Sequence, residues 1–269
     1  MRYEILGSLR MVDAAGASAV SARKIETVLA TLLVRAGQVV SVDQLVTEIW
    51  GNTPPRRATA TLHVYISQVR KFLAQLIGSN SLVVTRFPGY LFELGSDELD
   101  LHLFQRLVVR GRGQLRTEQY ENAADTFDTA LGLWRGPALN DLRDGPIINS
   151  FATWLDEIRL ECLEMMTSAG LMLGRHQELT GMLYGYVGEH PLNETFCQHL
   201  MLALYRSGRR ADALKVYHAT RDALRSELGL EPCHALQSLQ HAILTADDTL
   251  DDRRALAPSM PTAVSTIAD

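Results

Sequence analysis

The chain has 269 residues, 46% of them hydrophobic and 21% charged, enough for one large or two small domains of ordinary globular composition. The formal net charge of −5 hides an asymmetry: residues 1–95 carry 10 Lys and Arg against 6 Asp and Glu, and residues 96–269 carry 16 against 25. These figures exclude a collagen-like, low-complexity or wholly disordered chain, and a basic module ahead of an acidic one points to a polyanionic partner for the first half.

Residues 3–12 read as two short strands around Gly7, Ala15-Gly16 as a turn and Val20 as the start of a third strand. Then the apolar period lengthens. Ile25, Val28, Leu29, Leu32, Leu33 and Ala36 fall on one face of a helix that Gly37 ends. Ser41-Val-Asp-Gln44 has the form of a capping box and opens a second helix through Leu45, Val46, Ile49 and Trp50. Gly51 and Pro54-Pro55 stop it.

A third helix, over about residues 58–76, has the apolar stripe Leu62, Ile66, Val69, Leu73 and Leu76. Its opposite face is Ala60, Val64, Ser67 and Lys71, flanked by Thr61, His63, Gln68 and Arg70, with Arg56 and Arg57 just ahead. Small residues permit close approach to a major groove. Val64 can meet a thymine methyl, Gln68 can read an adenine edge, and the cations can pair with phosphates. Residues 82–86 and 90–94 then read as a β-hairpin with Arg86 at its tip, where a cation can enter the electronegative minor groove. Helix–turn–helix, recognition helix and hairpin together make a winged helix.

Residues 1–94 resemble an OmpR-type winged-helix DNA-binding domain with its extra N-terminal sheet. The resemblance is carried by Ala36-Gly-Gln-Val-Val-Ser-Val-Asp-Gln-Leu-Val-Thr-Glu-Ile-Trp-Gly51, Thr61-Leu-His-Val-Tyr-Ile-Ser-Gln-Val-Arg-Lys-Phe-Leu73 and Thr85-Arg-Phe-Pro-Gly-Tyr-Leu91. It implies DNA contacts from Thr61, Val64, Tyr65, Ser67, Gln68, Arg70 and Lys71 on the helix and from Arg86 on the wing. Many relatives carry arginine where Ser67 and Gln68 stand, and Gly or Pro where Phe87 stands, so neither base preference nor wing shape carries over.

From Leu101 to about Ala246 the pattern is helical throughout. His176-x-x-Leu179-x-x-x-Leu183 aligns with Arg210-x-x-Ala213-x-x-x-Tyr217 at an offset of 34 residues, the tetratricopeptide period, with Gly174-Arg-His and Gly208-Arg-Arg in register. Tyr120-x-x-Ala123-x-x-x-Phe127-x-x-Ala130 has the small-then-aromatic pattern of the second helix of such a repeat, and Pro191 marks a repeat boundary. Stacked repeats offer a concave surface for a peptide or protein, or an apolar pocket for a small molecule.

No catalytic constellation is present. The histidines, His63, His102, His176, His190, His199, His218, His234 and His241, lack metal-ligand spacing, and there is no Gly-x-x-x-x-Gly-Lys loop. Cys162, Cys197 and Cys233 are too few and scattered for a disulfide frame or zinc site; the first two are expected in the core. No apolar run approaches the ~18–20 residues of a membrane span, and the strand-like start lacks a signal-peptide core. The expectation is a reduced, cytoplasmic, nucleoid-associated protein without enzyme activity, metal or cofactor.

Leu133-Trp-Arg-Gly-Pro-Ala-Leu139, Tyr205-Arg-Ser-Gly-Arg-Arg-Ala-Asp-Ala-Leu214 and Glu227-Leu-Gly-Leu-Glu-Pro232 resemble the bacterial transcriptional activation domain. Following an OmpR-type winged helix, that domain is the signature of the Streptomyces antibiotic regulatory protein family. The resemblance implies a mainly α protein with a small β component: a DNA-binding domain over 1–95, a tetratricopeptide-like activation domain over 96–246 and a flexible tail over 247–269. It further implies an activator of a secondary-metabolite gene cluster that binds double-stranded DNA at tandem direct repeats, self-associates there and recruits RNA polymerase holoenzyme. Larger relatives append an ATPase, and this chain resembles the small members. With no receiver region ahead of residue 1, phosphorelay control is not expected, and a fragment of residues 1–96 is expected to bind DNA without activating. The competing expectation is a protein–protein adaptor whose winged helix is degenerate.

Overall fold

The computed structural model describes residues 1–13, 16–77 and 82–250. Ala15 of the expected turn and residues 251–269 of the expected tail lie outside them. The chain is mainly helical with a small sheet component, as expected, and divides into two compact units. One joins residues 1–107 to 129–159; the other joins 108–128 to the residues from 160 onward.

The first unit opens with β1 (Arg2–Glu4), β2 (Arg10–Asp13) and β3 (Gly16–Ser18). With β7 (Glu98–Leu99) they form a four-stranded sheet in the order β3-β2-β1-β7, whose β1–β7 pair is parallel. Tyr3 stands opposite both Met11 and Leu99, and all three are buried. Val20 does not begin a strand: β3 ends at Ser18, where its ladder with β2 ends, and Val20 lies in the connection to the first helix.

α1 (Arg23–Val34), α2 (Val42–Trp50) and α3 (Ala58–Ile77) follow. A three-stranded antiparallel sheet, β4-β6-β5, joins them, built from β4 (Val39–Ser41), β5 (Val83–Arg86) and β6 (Gly89–Phe92). Gly37 sits at φ +82°, and its N–H donates to the Phe92 carbonyl at 3.0 Å, turning the chain from α1 into β4. The capping box forms at the start of α2: Ser41 Oγ accepts from the Gln44 N–H at 3.1 Å, and Gln44 Oε1 accepts from the Ser41 N–H at 2.9 Å.

Residues 129–159 complete this unit. The Arg135 and Leu139 N–H groups donate to the Leu6 and Gly7 carbonyls, both at 2.8 Å. Gly7 is at φ +146°, where a Cβ would come within 3.1 Å of Arg135 Cβ. The Asp100 carboxylate opens α4 (Asp100–Arg116) and accepts from the N–H groups of Ile5 and Leu6 at 3.0 Å. Burial pushes its pKa up, against the pull of those donors and of Arg135. Glu48, buried on α2, accepts from Ile147 N–H at 2.7 Å and Ile148 N–H at 2.9 Å, capping α6 (Pro146–Met172) from 99 residues away.

In the second unit the same tight turn recurs three times. The Gln119 N–H reaches the Gln114 carbonyl, Arg175 reaches Gly170, and Arg209 reaches Leu204, at 2.9, 3.0 and 2.8 Å. The preceding residue is left-handed each time: Glu118 at φ 55°, Gly174 at 80° and Gly208 at 75°. These turns lead into α5 (Tyr120–Leu131), α7 (His176–Glu189) and α9 (Arg210–Leu228), and α7 and α9 start 34 residues apart. α8 (Glu194–Arg206) and α10 (His234–Thr245) complete the set. Close approach is local: a Cβ on Gly111 would strike the buried Phe127 ring, and one on Gly170 would touch Leu179. A cavity of about 370 Å³ opens among α7, α8 and α9, lined by Tyr184, Val187, Leu200, Val216 and Ala219. Cys162 and Cys197 are buried, and Cys233 is exposed.

Candidate nucleic-acid interface

α3 is anchored by Leu62, Ile66, Val69 and Leu73, all at most 1% exposed. Each contributes roughly 1.5–3 kcal/mol of burial, enough to fix which face turns outward. That outward face carries Ala60, Val64, Ser67 and Lys71, all exposed, with Val64 at 53%. His63 and Gln68 flank it and are exposed too. Twenty residues give α3 a length of about 30 Å.

The other expected contact residues divide by what already holds them. Arg56 and Arg57 are exposed in the turn before α3. The Thr61 side chain is half-buried, and its hydroxyl donates back to the Arg57 carbonyl at 3.0 Å. Tyr65 stacks on Trp50, with ring centroids 5.9 Å apart at 23°, and Lys24 Nζ lies 5.2 Å from the centre of the Trp50 ring. This Lys24–Trp50–Tyr65 stack had no signature in the sequence, because its members come from three helices.

Arg70 and Lys71 are neighbours with different surroundings. Lys71 is exposed. Arg70 is half-buried: its Nε donates to the Val83 carbonyl at 2.9 Å, one terminal amine donates to Thr85 Oγ1 at 2.8 Å, and the guanidinium lies 5.8 Å from the centre of the Tyr90 ring. It ties α3 to both strands of the hairpin. Thr85, unremarkable in the sequence, is thereby part of the support.

Arg86 is exposed at the end of β5 and pairs in register with Gly89, so Phe87-Pro88 forms the turn and Arg86 stands at its edge. The Phe87-Pro88 bond is cis. Gly89 cannot carry a side chain here: a Cβ would meet the Val40 carbonyl oxygen and Ser41 Cα on β4. The hairpin is thus clamped on β4 beside its turn, while the Phe87 side chain stands out in solvent.

One electrostatic feature unifies these parts. Between Glu48 and Glu93 the chain has no Asp or Glu but holds Arg56, Arg57, Arg70, Lys71 and Arg86. The acidic groups of this unit lie outside that stretch. Glu4 is enclosed by Arg2, Arg10 and Arg135. Burial opposes its ionisation, but the Arg10 hydrogen bond and the three cations hold its carboxyl below the usual carboxylate range. The net charge of +4 over residues 1–95 therefore understates how basic α3 and its hairpin are.

Family comparisons agree with this arrangement. Residues 20–92 match the C-terminal domain of transcriptional regulatory proteins, and residues 99–244 match the bacterial transcriptional activator domain. The regulatory protein DnrI of Streptomyces peucetius is 38% identical over 91% of this chain and 91% of its own length. The chain belongs to the Streptomyces antibiotic regulatory protein family. A second member, the transcriptional regulator RedD of Streptomyces coelicolor, is 35% identical over 92% of this chain and 71% of its own length. The solved structure of Mycobacterium tuberculosis EmbR in complex with a low affinity phosphopeptide superposes with a TM-score of 0.87 at 30% identity, covering 95% of this chain and 68% of that one. This family consists of DNA-binding transcriptional regulators, and the chain is one. Among the described residues no helix is long and apolar enough to cross a membrane.

Proposed function

We propose that the protein is a sequence-specific activator of a secondary-metabolite biosynthetic gene cluster, acting in the cytoplasm at tandem direct repeats near a promoter. α3 enters the major groove with Val64, Ser67 and Gln68 toward base edges. Arg56, Arg57 and Lys71 bind phosphates, Arg70 holds the hairpin at its angle, and Arg86 reaches the adjacent minor groove. Thr61 and Tyr65 complete the contact surface at the flank of α3.

The observation that carries this reading is the stretch from residue 49 to 92, which has no carboxylate and whose described residues set α3 beside an exposed arginine on a clamped hairpin. An adaptor that met protein through this surface would not need a stretch of 44 residues free of acids. Direct repeats would align protomers head to tail, and a weak contact between them would give cooperative binding. The helical repeats would present a surface to RNA polymerase holoenzyme.

A gel-shift salt titration tests the reading. Full-length protein is titrated onto promoter DNA with tandem repeats and onto scrambled DNA of equal length. Specific, salt-sensitive binding that strengthens cooperatively with two repeats is expected. Equal affinity for both duplexes would leave only nonspecific charge and refute it. Polymerase recruitment is tested separately by reconstituted transcription, where DNA binding without increased initiation would refute the activator step.

A further inference from the structure

Phe87 contributes nothing to the fold that holds it. Its side chain is 100% exposed, the most exposed large hydrophobic among the described residues. Its neighbours hold the turn instead. The Pro88 carbonyl accepts from the Val42 N–H at 3.2 Å, and Gly89 packs directly on the β4 backbone. The residue between Arg86 and Pro88 needs neither bulk nor an aromatic ring to close this hairpin. The largest apolar side chain of the wing tip is nonetheless held out in water beside an exposed arginine.

We propose that Phe87 is an apolar wedge that packs on the wall of the DNA minor groove and opens a base step there, so that the wing reads deformability as well as charge. This rests on the DNA-binding reading above. The walls of the groove are deoxyribose faces, which offer a hydrophobic side chain an exit from water. Apolar side chains that enter the minor groove partly unstack one step, and a pyrimidine–purine step yields most easily. Arg86 supplies the cation that the narrow groove attracts, and its neighbour supplies the wedge. Sequence preference would then appear at a step that no hydrogen bond reads.

The test uses the full-length chain and a duplex bearing one site, obtained by selection from random DNA with the wild-type protein. Phe87→Ala is expected to weaken binding on the order of 5- to 50-fold, the scale of losing an aromatic contact to a base. The slope of log affinity against log salt is unchanged, because no charge is removed. Phe87→Trp retains affinity. With 2-aminopurine placed at successive steps, the wild type brightens one step beneath the wing and Phe87→Ala does not. The urea unfolding midpoint, followed by far-UV circular dichroism, is the same for all three proteins.

Wild-type affinity of Phe87→Ala for the single site overturns the proposal. So does a loss confined to duplexes with two sites, which would make Phe87 a contact between neighbouring protomers. If the wild type selects no sequence at all, the sequence-specific reading falls, and this proposal with it.

Discussion

Glu48 offers the sharpest test of how the helix–turn–helix is supported. It is 3% exposed on α2, and its two carboxylate oxygens accept from the first amides of α6. Removing the side chain by Glu48→Ala orphans two N–H groups, one of them fully buried. Hydrogen bonds to a charged acceptor contribute roughly 1.5–3 kcal/mol each, and losing a helix cap typically costs about 0.5–2 kcal/mol. The sum overstates the loss, because burial disfavours the charged carboxylate and raises its pKa against the two amide donors. A net destabilisation of about 2–4 kcal/mol follows. Glu48→Gln keeps the volume and one acceptor oxygen but sets an NH₂ against the other amide, so about 1–2 kcal/mol is expected. The assay is urea unfolding followed by tryptophan fluorescence. Trp50, Trp134 and Trp154 are the only tryptophans and all belong to residues 1–107 and 129–159, so the signal reports on that unit. The expected order of stability is wild type, Glu48→Gln, Glu48→Ala. A shift under roughly 0.5 kcal/mol for both variants, the range of ordinary surface substitutions, would refute the reasoning.

Two further predictions concern charge. Arg86→Ala should weaken operator binding and reduce the salt slope by about one, as expected for one lost contact, without altering urea unfolding; an unchanged slope and affinity would remove Arg86 from the interface. The second concerns pH. His199 is buried in the second unit, where Thr167 Oγ1 lies 2.7 Å from its Nδ1 and also 3.0 Å from the Leu163 carbonyl. Thr167 thus shares its one hydroxyl proton among these neighbours and the Glu164 carbonyl, and Nε2 is buried without a partner among the described residues. Burial holds the imidazole neutral, with its pKa down at about 4. An unfolded histidine titrates near ~6.5. The unfolded chain therefore binds the extra proton first, and stability falls as pH drops from ~6.5 to about 4, by roughly 3 kcal/mol in all. Far-UV circular dichroism during urea unfolding should show this dependence, and His199→Phe should flatten it; an equally steep profile in the variant would place the titrating group elsewhere.

What could be read from the chain depended on how local each signal was. The capping box at Ser41 and Gln44, the break at Gly37 and the 34-residue period are set by neighbours a few residues apart or by direct repetition, and the structure has them where the sequence places them. β4 and β7 were not legible. They are three and two residues long, and they exist because Val40 meets Tyr90 and Tyr3 meets Leu99, far along the chain. Val20 is the converse case: its β-propensity is real, but no partner strand extends that far. On α3, sequence spacing placed Ala60, Val64, Ser67 and Lys71 on one face with His63 and Gln68 beside it, and the structure exposes all six. Spacing could not tell Arg70 from Lys71, because only the hairpin distinguishes them. Glu48 read as one more polar residue on an amphipathic helix, since its partners lie 99 and 100 residues later.

The same distances bear on any attempt to isolate the DNA-binding half. A fragment of residues 1–96 ends before β7 and Asp100, and it lacks Arg135, Leu139 and the start of α6. Within it, the Ile5 and Leu6 amides lose their carboxylate acceptor, the Leu6 and Gly7 carbonyls lose their donors, and Glu48 loses both amide donors. Each of at least five groups exchanges an intramolecular hydrogen bond for one to water, a net loss of about 0.5–1.5 kcal/mol apiece, while a whole domain is stable by only about 5–15 kcal/mol. The fragment is therefore expected to unfold at much lower urea than the full chain, read by Trp50 fluorescence, and to bind DNA weakly for that reason. A fragment of residues 1–159 restores every one of those partners and should regain the transition. If residues 1–96 alone unfold cooperatively at the full chain's midpoint, the network around Asp100, Arg135 and Glu48 is dispensable, and the winged helix is a self-sufficient module despite it.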